Sequence, residues 1–123
     1  MKKLIAFAFA ALCMASAAFD SGDPFAPSVS NSFNITVTAS AQTLQVGSIQ
    51  TFGNAQYRLT NVGTTTIFVT LGPSGACVAA TTSNGMAIVS NTSIIVSSYP
   101  NACIGVIGAA TGSTLYVTNG IGR

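Results

Sequence analysis

The sequence predicts an all-β chain: a β-sandwich, of jelly-roll or tulip-like form, with an extended N-terminal arm. Three observations carry that prediction. Short runs in which apolar and polar residues alternate with period two recur from Phe33 to Thr118. Gly, Asn and Pro punctuate them at a spacing of about ten residues, the rhythm of sandwiches and jelly rolls. No stretch after residue 20 combines helical periodicity with capping residues. Two regions follow: residues 1–32, a signal-like apolar segment and arm, and residues 33–123, the sandwich domain.

The first eighteen residues, MKKLIAFAFAALCMASAA, place two lysines before an apolar run from Leu4 to Met14, followed by the small residues Ala15, Ser16 and Ala17. This is the pattern of a secretory signal peptide with an Ala-x-Ala cleavage site. The run is too short to span a membrane. If it stays on the chain, Phe7, Phe9 and Leu12 must be buried against something. Phe19 to Ser32 contains Gly22, Pro24, Pro27 and both aspartates without periodicity, so it reads as an extended arm. Phe19, Asp20, Asp23 and Phe25 are candidate contacts with a partner; packing of Phe19 and Phe25 on their own domain is the equal alternative.

The first expected strand, Phe33 to Ala39, sets Phe33, Ile35 and Val37 against Asn34, Thr36 and Thr38. Short strands over 43–46 and 48–52 flank Gly47. Gln56 to Gly72, QYRLTNVGTTTIFVTLG, then reads as a β-hairpin around Asn61-Val62-Gly63-Thr64, with Tyr57 and Leu59 inward before the turn and Ile67, Val69 and Leu71 inward after it. After the turn Gly72-Pro73-Ser74-Gly75, a short strand is expected at 76–80. A second hairpin is expected from 86–89 and 93–97 across Ser90-Asn91-Thr92. Strands at 103–107 and 113–118 close the domain.

Charge is the most unusual property. Asp, Glu, Lys and Arg make up 5% of the chain, against a usual level of about 25%. Lys2, Lys3, Asp20 and Asp23 all precede residue 24, so only Arg58 and Arg123 follow it. A net charge of +2 offers no nucleic-acid footprint. Solubility rests on Ser, Thr, Asn and Gln, and copies feel little mutual repulsion, which suits a protein packed among others. Arg58 either pairs across an interface or stands as an exposed strand arginine.

Catalysis is not expected. The chain has no His and no Glu, and no lysine beyond the N-terminal pair, so its many hydroxyls lack a base. No catalytic residue, cofactor or small-molecule substrate is assigned. Gly105, Gly108 and Gly112 precede no helix and no lysine, and read as turns and strand kinks rather than a phosphate loop. Cys13, Cys77 and Cys103 have no metal-ligand spacing. Buried free thiols are the plainer expectation for Cys77 and Cys103; a disulfide between them is the alternative in an oxidising compartment.

The runs Tyr57-Arg58-Leu59-Thr60-Asn61-Val62-Gly63, Ile67-Phe68-Val69-Thr70-Leu71-Gly72 and Thr114-Leu115-Tyr116-Val117-Thr118-Asn119-Gly120 resemble small structural proteins encoded near tailed-phage capsid genes, the capsid decoration or cement proteins. The likeness spans about residues 33 to 123. It implies a non-enzymatic virion component on the capsid surface, often trimeric, that bridges neighbouring copies of the major capsid protein, with an N-terminal arm such as Phe19 to Ser32 among its contacts. An exported bacterial β-sandwich, a surface or pilus-like adhesive protein with residues 1–18 removed and Cys77 paired with Cys103, is the alternative reading.

Overall fold

In the computed structural model, residues 25–46, 55–97 and 101–122 are described, and every regular element among them is a strand. In chain order they are β1 (Phe25–Val37), β2 (Gln42–Gln45), β3 (Ala55–Gly63), β4 (Ile67–Pro73), β5 (Met86–Ile88), β6 (Thr92–Ser97), β7 (Asn101–Gly108) and β8 (Ser113–Gly122). They form two four-stranded antiparallel sheets. Sheet A has the order β1-β8-β3-β6 and sheet B the order β2-β7-β4-β5.

One apolar core joins the sheets face to face, the layout of a β-sandwich. Sheet A contributes Val37, Tyr57, Leu59, Leu115 and Val117; sheet B contributes Ile67, Val69, Ile88, Ile104 and Val106. Burial alternates along β3 as the sequence alternation requires, with Ala55, Tyr57, Leu59 and Asn61 buried and Gln56, Arg58 and Thr60 half-buried. Each fully buried Val, Ile or Leu contributes about 1.5–3 kcal/mol, and this cluster is the main apolar source of stability.

The expected hairpin over 56–72 does not form. β3 lies in sheet A between β8 and β6, whereas β4 lies in sheet B between β7 and β5, so neither has an edge left for the other. The Asn61–Gly63 region is instead a crossing from one sheet to the other. Asn61 is fully buried and its Nδ2 donates to the carbonyls of Thr65 (2.8 Å) and Ile88 (2.9 Å), tying together the ends of strands from both sheets. Gly63 has φ 150° and abuts β8; a Cβ there would lie 2.5 Å from the Ser113 Cα. The second expected hairpin fails in the same way, since β5 pairs with β4 and β6 with β3. Asn91, at φ 56°, makes that turn between sheets.

Two further expectations change. The stretch 76–80 is not a strand. The first strand begins at Phe25 rather than Phe33, because Phe25 to Pro27 pair with Gly122 to Gly120 of β8 and so lie along the edge of sheet A. The expected strand at 48–52 and residues 1–24 lie outside the described residues.

Candidate functional site

The two sheets present very different outer faces. On sheet A, alternation turns Asn34 and Thr36 of β1, Thr114, Tyr116 and Thr118 of β8, Arg58 and Thr60 of β3, and Ser93 and Ile95 of β6 away from the core. Cross-strand neighbours form rows such as Asn34–Tyr116–Thr60–Ser93, in which the Thr60 and Ser93 hydroxyls are 2.8 Å apart. This face is an array of hydroxyls and amides, with Tyr116 44% and Ile95 37% exposed and Arg58 as its one formal charge among the described residues.

Arg58 does not stand alone on that face. Its guanidinium lies 4.7 Å from the centroid of the Phe25 ring, a cation–π contact of about 0.5–2 kcal/mol. Phe25 reaches it through a register shift in β1: Pro27 opposes Gly120 while Ser32 opposes Thr118, so five residue steps on β1 match two on β8. The three extra residues are an odd number and exchange the two faces. Phe25 would otherwise share the core-facing parity of Phe33 and Ile35, yet it packs over Gly120, where a Cβ would come within 2.6 Å of its ring. Phe25 is 2% exposed. Within this chain it therefore packs on its own domain, against Arg58 and Gly120, which is the alternative the sequence left open beside a partner contact. Phe19, Asp20 and Asp23, the other expected contacts, lie outside the described residues.

Sheet B is covered by its own chain. The outward positions of β4 and β7 are Phe68, Thr70 and Gly72, and Cys103, Gly105 and Ile107. Across them runs residues 74–85, a strap linking β4 to β5. The Thr70 hydroxyl donates to the Val78 carbonyl at 2.6 Å, and Cys77 is bonded to Cys103 with Cα atoms 5.3 Å apart. Free thiols, the plainer sequence expectation, give way to this bond because the strap lays Cys77 directly over β7. Glycine makes room for it. A Cβ on Gly105 would meet the Val78 carbonyl and the Thr70 hydroxyl, and one on Gly72 would lie 2.5 Å from the Ala76 carbonyl. Gly105 is thus a site of close backbone approach rather than a kink. Ala80, buried on the strap, completes the seal.

The sequence reading did not find the strap, although a signal for it was present. Cys103 and Gly105 are small residues at outward positions where a solvated strand face would carry polar ones; of the apolar run Ala76 to Ala80 only Ala80 is buried and Cys77 half-buried. Chemically, these faces offer hydrogen bonds and van der Waals area. Among the described residues no group of His, Cys, Asp or Glu is placed to hold a metal ion. Comparison with known proteins finds no family model, no curated protein and no solved structure that matches this chain.

Proposed function

We propose that this protein is a non-enzymatic structural subunit of a virion, a decoration or cement protein that binds the major capsid protein at the capsid surface and works as a homo-oligomer, a trimer in the reading the sequence resemblance suggests. The observation that carries the proposal is the contrast between the faces: the middle of sheet B is covered by the strap, while sheet A presents an open, hydroxyl-rich surface with a single charge among the described residues. A surface of this kind binds through area and hydrogen bonds rather than charge pairing. The strand order supports the same reading, since β1-β8-β3-β6 facing β2-β7-β4-β5 is the arrangement of an eight-stranded jelly roll, a fold used by viral capsid domains among others.

The disulfide favours a second reading. Such bonds persist in oxidising compartments, which suits an exported β-sandwich of a cell surface or pilus from which residues 1–18 have been removed. One experiment separates the two. Capsids purified without this protein are mixed with the full chain and sedimented in low salt and in about 1 M salt, where the Debye length falls to about 3 Å. Co-sedimentation that survives high salt is expected. Failure to bind at either salt concentration, together with a native mass lacking residues 1–18, overturns the virion reading in favour of export.

A further inference from the structure

The strap over sheet B is held in a way that makes it separable from the sandwich beneath. Its covalent and hydrogen-bonded attachments to the sheet among the described residues are the Cys77–Cys103 bond, the 2.6 Å hydrogen bond from the Thr70 hydroxyl to the Val78 carbonyl, and a 3.1 Å contact from the Gln45 amide to the Cys77 sulfur, beside which the buried Ala80 and the backbone lying over Gly72 and Gly105 add packing. The rest of its hydrogen bonding is local. Ala76 N–H donates to the Pro73 carbonyl, Thr81 N–H to Asn84 Oδ1, Asn84 Nδ2 to the Ala79 carbonyl and Gly85 N–H to the Thr81 carbonyl. No strand ladder ties it down, since residues 74–85 lie in neither sheet. The glycines beneath permit close approach and add only the weak dispersion of those backbone contacts.

We propose that the disulfide makes this strap a redox-operated cover: closed over the outer face of sheet B in oxidising surroundings, and released by reduction to uncover the strip formed by Phe68, Thr70, Gly72, Cys103, Gly105 and Ile107. The two sulfurs differ in access, which sets the course of the reaction. Cys103 is 0% exposed whereas Cys77 is half-buried, so an external thiolate attacks the Cys77 sulfur. Cys103 leaves as a thiolate and takes up a proton. The second thiol of a dithiol reductant then resolves the mixed disulfide and frees Cys77. Two electrons and two protons pass to the protein, and the dithiol becomes a disulfide. A low-mass disulfide such as glutathione disulfide reverses the sequence. In consequence the molecule offers one open face, that of sheet A, when oxidised, and two when reduced.

The test uses the full chain and hydrogen exchange read by mass spectrometry, comparing the oxidised protein, the protein reduced with dithiothreitol, and the Cys77→Ser variant without reductant. Amides in residues 76–84 are expected to exchange roughly tenfold faster or more on reduction, while those of β3 and β8 keep their protection. Cys77→Ser should reproduce the reduced pattern, and glutathione disulfide should restore the slow pattern in the reduced wild type. Unchanged strap protection in the reduced protein or in Cys77→Ser overturns the proposal, because packing alone would then hold the strap. Loss of protection in β3 and β8 together with the strap overturns it as well, because the bond would then be a staple for the entire fold.

Discussion

Asn61 is the side chain through which the two sheets are joined at the β3–β4 crossing. It occupies the inward position that follows Tyr57 and Leu59 along β3, and there its amide donates to a carbonyl before β4 and to one at the end of β5. Replacement by Ala removes both donations at a buried position. The Thr65 carbonyl keeps the Ser113 hydroxyl at 2.9 Å, while the Ile88 carbonyl loses its Asn61 donor. Asn61→Ala is expected to cost about 1–3 kcal/mol, read as a lower denaturation midpoint at an unchanged denaturant slope. A midpoint equal to that of the wild type would remove Asn61 from this role. The sequence marked Asn61 as a turn residue, which it is, but its inward parity was the overlooked signal. A polar side chain in an apolar register position must find partners across the core, and those partners are what make the turn a crossing. Arg58 was legible as the lone charge of the domain; its partner Phe25 was not, because the odd register shift that brings the ring to the outer face has no local sequence mark.

At the scale of elements, the alternation in the sequence told which residues face inward in β3, β4 and β8, and the structure buries Leu59, Val69 and Leu115 completely. Strand partners were not legible. Period-two patterning assigns a face, and a Gly-containing turn assigns a reversal, but a reversal within one sheet and a crossing to the facing sheet demand the same local residues. The start of β1 was missed for a related reason: Phe25 to Pro27 pair with β8 beyond an irregularity, so the run from Phe25 to Val37 carries no continuous alternation. This gives an element-scale prediction. A chain beginning at Ser32 lacks the Phe25–Pro27 pairing with Gly120–Gly122 and the Phe25 ring, whose loss alone costs about 3 kcal/mol or more when fully buried. Relative to a chain beginning at Pro24, it should melt lower by roughly 10 °C or more. Equal melting temperatures would return residues 25–32 to the role of a dispensable arm.

For the molecule as a whole, the scarcity of charge governs how it responds to solution conditions. Stability depends on pH only through groups that bind different numbers of protons in the folded and unfolded states. The chain has no His and no Glu, its only Asp residues are Asp20 and Asp23, and Arg58 is the one acidic or basic side chain between Phe25 and Gly122. Cysteines joined as Cys77–Cys103 do not titrate. The window from about pH 5 to 8, in which histidines and perturbed carboxylates usually tilt the stability of a domain, therefore contains no side chain of the sandwich that gains or loses a proton on unfolding. Melting temperatures of the oxidised protein at pH 5 and pH 8 should agree to within roughly 2 °C, a difference of well under 1 kcal/mol for a domain of this size. The same absence should leave the melt insensitive to salt beyond the general strengthening of apolar burial by excluded ions such as sulfate. A melting temperature that falls steeply toward either end of the pH window would mean that a titrating group outside the described strands, Asp20 or Asp23 foremost, is tied into the fold, and that the N-terminal segment is part of the cooperative unit rather than an appendage to it.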